Sequence, residues 1–385
     1  MLFSMLLAGA SLAASASVTA KPTKKPFDFL VTFGDSYTDN GRLNYYIGNG
    51  GNPPPAGQLH GEINVTASGG LTWNQYASRQ VGAKLVDYAV SGATCSNQVI
   101  SRYFSAINKD FPAVLDDEIP SFVADTAYRS IFPDRTADNT VYALWIGTND
   151  LGGDAFLTEN QHPGKTLTDF SECIWTVFDT IYKSGGRRFV LLNLAPLHLA
   201  PLYATLENGG FSGASQFWAG KSQYNVTERS EKIKEYSTTL NTVFSYGAAV
   251  NTKLKSRWPK TTFDLFDVHS LLTDVHENPA AYLDAPHNST GYFHHCPPSG
   301  SDCVDQTSLG PLSGFMWYDE LHPSTKTGMF FVLSHEFIFL CCCDAGSKHV
   351  NFADKDVPDS VIAKHFLDVV AGQSKYGTRY CDQRL

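Results

Sequence analysis

Residues 29–41 read FLVTFGDSYTDNG, a mostly apolar run that passes directly into glycine, aspartate and serine. A run without polar alternation is typical of a strand that is buried on both faces of a parallel sheet. Similar runs recur along the chain at residues 85–90, 141–146, 189–194 and 263–268. The sequence therefore predicts five parallel β-strands.

Helix-compatible stretches lie between these strands, at residues 170–183 and 230–258. Alternating strands and helices indicate a doubly wound sheet with helices on both faces. In such a sheet, ligands bind beyond the carboxyl ends of the strands. Two stretches rich in Gly, Pro, Ser and Asn, residues 203–225 and 282–314, are predicted to be surface loops over that edge.

Composition narrows the class of protein. The chain has 385 residues, of which 43% are hydrophobic and 17% charged, so it can bury a large core. This excludes a disordered chain, a collagen-like chain and a small scaffold held by disulfides alone. The net charge of −9, without a long basic cluster, argues against a nucleic-acid partner. No repeat or linker divides the chain, so we expect one domain over residues 21–385.

The first 20 residues are apolar and then small, which resembles a secretory signal peptide. No other stretch approaches the roughly 18 apolar residues of a membrane span, so we expect no stable membrane insertion. Three Asn-x-Ser/Thr sequons, at Asn64, Asn225 and Asn288, fit export and glycosylation. These features predict a secreted, extracellular protein.

Disulfides are expected among the eight cysteines of an exported chain. Cys296 and Cys303 bracket a turn-rich loop and form the favoured pair, with Cys95 and Cys173 as a second candidate pair. A zinc site formed by these loop cysteines and the two histidines before Cys296 is the alternative. It is disfavoured because adjacent histidines on a Pro/Gly loop lack the usual ligand spacing.

Two motifs carry the residues of a nucleophilic triad. The Gly-Asp-Ser turn places the Ser36 hydroxyl at the carboxyl end of a strand. Residues 317–324 read WYDELHPS, so a short loop lets Asp319 reach Nδ1 of His322, whose Nε2 can then take a proton from serine. For the second motif alone, the alternative is that Asp319 caps a helix and His322 is merely packed.

Two further strand ends offer hydrogen-bond donors for a developing oxyanion. Residues 88–94 read YAVSGAT and residues 141–150 read VYALWIGTND. The backbone N–H of Gly92 and the side-chain amide of Asn149 are the candidate donors, together with the N–H of Ser36. Taken alone, each is a common turn residue. The chain has no Gly-x-Ser-x-Gly motif, which argues against the α/β-hydrolase fold.

With Ser, Gly, Asn and His in this chain order, the sequence resembles the GDSL or SGNH hydrolases over nearly the whole mature chain. The resemblance implies a flavodoxin-like, three-layer α/β/α sandwich with a five-stranded parallel sheet. It implies Ser36, Asp319 and His322 as catalytic residues and Ser36, Gly92 and Asn149 as the oxyanion hole. It also implies hydrolysis of a carboxylic ester through an acyl-enzyme, with no metal or organic cofactor.

The four segments look like those of the fungal secreted branch classed as carbohydrate esterase family sixteen, acetylesterases that act on acetylated sugars and hemicellulose fragments. The leading hypothesis is therefore a monomeric acetylesterase for small-molecule or oligosaccharide esters. A secreted lipase or phospholipase is the alternative, because fold and triad do not set acyl length. A non-catalytic carbohydrate-binding protein is the alternative of another class. Several aromatic residues near the motifs are candidates for stacking on sugars: Tyr37, Trp73, Tyr103, Trp145, Phe156, Trp317 and Tyr318.

One segment departs from the family pattern, in which a C-terminal helix follows His-Pro-Ser directly. Here the amphipathic stretch comes late, at residues 359–370. Residues 328–358 intervene and include FIFLCCC at 337–343, which suits neither a helix face nor a surface loop. We interpret residues 328–358 as the translation of an unspliced intron, with a tolerated loop insertion as the alternative.

Overall fold

A computed structural model of the chain describes residues 25–329 and 361–381. The predicted signal peptide lies outside the described residues. So does the predicted insert, apart from Gly328–Met329. Both assignments stay predictions.

The chain alternates strands and helices for most of its length. The strands, numbered in chain order, are β1 Phe29–Gly34, β2 Lys84–Asp87, β3 Tyr103–Phe104, β4 Lys109–Asp110, β5 Thr140–Trp145, β6 Arg188–Leu192, β7 Thr262–Phe266, β8 Asn288–Tyr292, β9 His294–His295, β10 Val304–Asp305, β11 Phe315–Trp317, β12 Gly328–Met329 and β13 Gly377–Cys381. The helices are α1 Arg42–Gly48, α2 Trp73–Val81, α3 Ile119–Asp125, α4 Thr148–Leu151, α5 Leu167–Lys183, α6 Val226–Ala249, α7 Val268–Glu277 and α8 Val361–Ala371.

The main sheet has six strands in the order β13-β7-β6-β5-β1-β2. The five strands from β7 to β2 are mutually parallel and coincide with the five predicted runs. The sixth, β13, pairs antiparallel with β7 at the edge. Sequence analysis missed β13 because its five residues are short of apolar side chains and mostly half-buried or exposed.

Helices cover both faces of this sheet. Tyr142 and Trp145, three residues apart on β5, point to opposite faces. The Tyr142 ring lies 5.6 Å from that of Phe122 on α3, and the Trp145 ring lies 6.5 Å from that of Trp73 on α2. Helix α5 packs against α3 on the first face, and α8 packs against α2 on the second. The predicted three-layer α/β/α sandwich is confirmed.

Strand β1 lies between β2 and β5, and all six of its residues are buried. The chain leaves β1 toward β2 on one side and later returns through β5 on the other. The crevice where a parallel sheet reverses direction in this way is the usual ligand site of doubly wound folds. Ser36, Gly92 and Asn149 follow β1, β2 and β5, so all three lie at this crevice.

Two disulfides hold the loops near this edge. Cys95 bonds to Cys173 and thereby ties the loop after β2 to helix α5. Cys296 bonds to Cys303 and closes the loop between β9 and β10. Among the described residues, no helix combines the length and apolar character that crossing a bilayer requires.

Candidate active site

The Ser36 turn depends on a glycine at the end of β1. Gly34 has φ +143°, and a Cβ there would lie 2.1 Å from the carbonyl oxygen of Trp145, so a larger residue cannot fit. The backbone N–H of Tyr37 donates to the Asp35 carboxylate at 3.0 Å and closes the turn around Ser36. Asp35 is fully buried, and burial raises the pKa of its carboxyl to about 6.

The loop after β11 brings Asp319 and His322 together. One Asp319 oxygen accepts the backbone N–H groups of Leu321 at 2.9 Å and His322 at 2.8 Å. Both oxygens also lie 2.9 Å from His322 Nδ1. The Tyr37 hydroxyl donates to the Leu321 carbonyl at 2.8 Å and ties this loop to the serine turn. Asp319 therefore both folds the loop and orients the imidazole. No helix begins after Asp319 within residues 318–329, so the helix-capping alternative is wrong.

The two motifs meet at His322. Its Nε2 lies 2.7 Å from Ser36 Oγ. With Nδ1–H donating to Asp319, Nε2 carries the lone pair that accepts the Ser36 hydroxyl proton. Burial alone would lower the pKa of His322, but the charge and hydrogen bond of Asp319 outweigh it and raise that pKa above its ordinary value.

Two backbone donors face the same space. Within the described part of the chain, the N–H groups of Ser36 and Gly92 donate to no protein acceptor. Gly92 adopts φ +87°, and a Cβ there would lie 2.4 Å from the ring of Phe111. The Asn149 amide donates one N–H to the Ala93 carbonyl at 2.9 Å, which leaves its second N–H for a ligand. Ser36, Gly92 and Asn149 all line the same cavity.

Buried carboxylates that sequence analysis did not single out connect the serine turn to the Gly92 loop. Asp39 accepts the N–H of Ser91 at 2.7 Å. Glu118, which is fully buried, accepts the N–H groups of Gly34 at 3.0 Å and Val90 at 3.2 Å. Asp39 could have been identified from the sequence, because it lies three residues after Ser36 in the same motif. Glu118 lies in a helical turn far along the sequence, and nothing in the pattern marked it.

Arg102 is a further residue that sequence analysis missed. Its guanidinium donates to the Gly92 carbonyl at 3.1 Å and to Asn149 Oδ1 at 2.8 Å. It lies just before β3 in a segment with no recognisable motif, so no sequence signal could have found it. Both predicted oxyanion residues thus share one cationic partner.

The catalytic candidates open onto a cavity of about 440 Å³. The predicted loops at 203–225 and 282–314 contribute to its walls, the first through Tyr203 and Phe217 and the second through His294. Of the seven aromatic candidates for sugar stacking, Tyr318 lines the cavity. Five others are buried in the core, at most 4% exposed, and cannot receive a sugar: Tyr37, Trp73, Trp145, Phe156 and Trp317. Other aromatic walls come from Phe104 and Phe111.

The zinc alternative fails on chemistry. Among the described residues, the atoms with metal-ligand spacing are those of His294, Cys296 and Cys303. The disulfide occupies both sulfur atoms, so no thiolate remains to bind a cation. His294 Nδ1 instead lies 2.6 Å from the Asp305 carboxylate.

The sequons differ in accessibility. Asn64 and Asn225 are exposed, although the Asn225 side-chain oxygen also caps helix α6. Asn288 is half-buried on β8, where its oxygen accepts the N–H of Gly291 at 2.7 Å. Glycosylation at these three positions stays a prediction.

Residues 30–328 match the family of GDSL-like lipases and acylhydrolases. The chain belongs to this family. This confirms the resemblance drawn from the motifs at Ser36, Gly92, Asn149 and His322. The matched segment ends at the start of the predicted insert.

Two curated proteins and one solved structure are among those to which the chain is similar. The chain is 44% identical over 352 residues to an acetylesterase of Hypocrea jecorina, covering 91% of each chain. It is 27% identical over 202 residues to an acetylesterase of Thermothelomyces thermophilus, covering 50% of this chain and 62% of that one. Among solved structures, an acetyl-xylooligosaccharide esterase from Geobacillus is similar at 14% identity and a TM-score of 0.32, over 69% of this chain and 88% of that one.

Proposed function

We propose that this protein is a secreted serine esterase that removes O-acetyl groups from carbohydrates. The observation that carries the proposal is the hydrogen-bonded series Asp319, His322 and Ser36, which ends at a cavity beside unoccupied backbone donors. A nucleophile, a base and an orienting carboxylate in this geometry are what acyl transfer requires.

In the first half of the reaction, Ser36 Oγ attacks the ester carbonyl carbon while its proton passes to His322 Nε2. The carbonyl oxygen becomes an oxyanion that accepts the N–H groups of Ser36, Gly92 and the Asn149 amide. His322 then gives its proton to the oxygen of the departing alcohol. The carbon–oxygen bond to that alcohol breaks, and the acyl group stays on Ser36 as an ester.

In the second half, water takes the place of the alcohol. His322 Nε2 removes a proton from the water, whose oxygen attacks the acyl carbon of the Ser36 ester. The same three donors hold the second oxyanion. His322 returns the proton to Ser36 Oγ, and the carboxylic acid leaves. Every step uses groups of this chain, so the mechanism calls for no metal or organic cofactor.

Removal of acetyl groups is supported by similarity to the Hypocrea protein, which is 44% identical over 352 residues and bears the name acetylesterase. The aromatic walls formed by Phe104, Phe111 and Tyr318 offer apolar faces on which sugar rings can stack. Two disulfides fit an oxidising, extracellular location. The intact contact between Ser36 and His322 disfavours a protein that only binds carbohydrate.

The proposal is tested by measuring hydrolysis of nitrophenyl acetate, butyrate, octanoate and palmitate, and of an acetylated xylo-oligosaccharide, by the purified full chain. We expect kcat/KM to be highest for acetyl esters. The Ser36→Ala variant should lose activity, whereas Ser130→Ala, at an exposed serine far from the cavity, should keep it. A preference for palmitate would favour a lipase instead. An active Ser36→Ala variant would overturn the assigned nucleophile.

A further inference from the structure

We propose that Arg102 is a positioning residue that holds both oxyanion donors in one geometry. The inference rests on the proposed function and concerns the same site. One guanidinium nitrogen, Nη1, lies 3.1 Å from the Gly92 carbonyl and 2.8 Å from Asn149 Oδ1. Gly92 follows β2 and Asn149 follows β5. The Arg102 guanidinium therefore links two loops that begin at different strands.

The contact with Asn149 settles which way its amide points. Arg102 can only donate, so the atom that it meets is the amide oxygen. Asn149 Nδ2 then lies on the side of the Ala93 carbonyl and donates to it at 2.9 Å. The remaining N–H of Nδ2 stays available at the cavity. Without Arg102, Oδ1 loses its partner and the amide can rotate away from this orientation.

The contact with Gly92 acts on the second donor. The carbonyl of Gly92 belongs to the same residue as the proposed oxyanion donor, so fixing the carbonyl limits movement of the Gly92 N–H. The positive charge of Arg102 also polarises Asn149 through its oxygen and makes the amide a stronger donor. Both effects favour the tetrahedral oxyanion over the planar ester, because only the oxyanion carries the developed charge.

Arg102 is itself held in place. The N–H of Phe111 donates to the Arg102 carbonyl at 2.8 Å, across the base of the β3–β4 hairpin. The guanidinium carbon lies 5.2 Å from the centre of the Phe111 ring, which stacks on Phe104 at 4.3 Å. Among the ion pairs of the described residues, none involves Arg102. The Nη1 donors of this arginine are therefore directed to two neutral acceptors, the Gly92 carbonyl and Asn149 Oδ1.

The experiment measures kcat and KM for nitrophenyl acetate with three variants of the full chain. Arg102→Met removes the donors but keeps length and apolar contact with Phe111. Arg102→Lys keeps the charge but loses the planar guanidinium. Arg129→Met is the matched control, because the Arg129 side chain is 83% exposed. Since the loss of an oxyanion donor costs about 10²–10³ in kcat, we expect kcat to fall roughly 10–100-fold in both Arg102 variants. KM should stay within about threefold, and the control should equal the wild type.

A double-mutant cycle separates positioning from a general structural role. Because Asn149 is one of the two residues that Arg102 holds, adding Arg102→Met to an Asn149→Ala variant should cost less than it costs alone. Multiplicative losses would overturn the proposal, as would wild-type kcat in both Arg102 variants. If the Arg102→Met variant does not fold, the kcat of the Arg102→Lys variant alone tests the proposal. A wild-type chain that hydrolyses no ester overturns the proposed function and this inference with it, whereas an active wild type with unaffected Arg102 variants overturns this inference alone.

Discussion

Ser36 Oγ and His322 Nε2 lie 2.7 Å apart although 286 residues separate them in the chain. The sheet supplies Ser36 just after strand β1, and the loop after β11 supplies His322. Asp319 lies on the far side of the imidazole and fixes its tautomer. Esterase activity should therefore depend on how the fold maintains this contact and the hydrogen-bond donors around it.

Activity should depend on the protonation of His322. Only the neutral imidazole can accept the Ser36 proton, so kcat/KM should fall as the pH falls through the pKa of His322. Because Asp319 raises that pKa, we expect the midpoint of the acid limb to lie above 6.5. The measurement is a pH profile of kcat/KM with a substrate that does not titrate.

The Asp319→Asn variant tests the cause of this pKa. Removing the carboxylate leaves burial as the largest influence, so the midpoint should move to lower pH. Activity at the optimum should fall by about 10³–10⁴, because the imidazole loses its orienting partner. An acid limb with the same midpoint in both proteins would contradict the assigned role of His322.

Gly92→Ala should damage catalysis more than folding. Its Cβ would lie 2.4 Å from the Phe111 ring, so the loop must shift and move the Gly92 N–H that we propose as an oxyanion donor. Loss of one oxyanion donor costs about 10²–10³ in kcat. Gly164→Ala is the matched control, because Gly164 also has positive φ, at +79°, but nothing lies within 4 Å of its Cβ position. It should lose stability and keep kcat. Equal kcat values in the two variants would count against Gly92 as a donor.

The two disulfides should contribute unequally to stability. Cys95 and Cys173 are 78 residues apart, whereas Cys296 and Cys303 are separated by 7. From loop-closure entropy, replacing the first pair by serine should cost about 4 kcal/mol of unfolding free energy and replacing the second about 2 kcal/mol. The first change should also lower kcat, since Cys95 follows the Gly92 loop. Denaturant unfolding of both double variants checks the order, and the reverse order would refute it.

The chain after residue 360 should be essential to the fold. Arg379 on β13 binds both oxygens of Asp264 on β7, at 2.7 and 2.9 Å, and also donates to the Val370 carbonyl at the end of α8. Arg379→Met leaves the buried Asp264 carboxylate without this cation, so we expect a loss of about 2–4 kcal/mol in unfolding free energy. The exposed Arg129→Met control should change it by less than about 0.5 kcal/mol. Unchanged stability of the first variant would argue that β13 is dispensable.

The sequence predicted the parts of the molecule that local patterns encode. The apolar runs marked the parallel strands, and the strand-end rule placed Ser36, Gly92 and Asn149 at one edge. Strand β13 was not predicted because its sequence shows no alternation of apolar and polar residues. Its position is set by pairing with β7, which lies far away in the sequence. Arg102 was not predicted either, because its partners, Gly92 and Asn149, follow two different strands and are brought to it only by the fold. The prediction of sugar contacts was wrong for the five buried aromatic residues, because proximity to a motif does not reveal whether a side chain points into the core or into the cavity.

Covalent labelling tests whether Ser36 is the nucleophile. The full chain is treated with an organophosphate ester, and the adduct is located by intact mass and peptide mapping while acetyl-ester hydrolysis is followed in parallel. We expect one adduct per chain, on Ser36, with activity lost in proportion and no labelling of Ser36→Ala. An adduct on another residue, or full activity in the labelled protein, would contradict it.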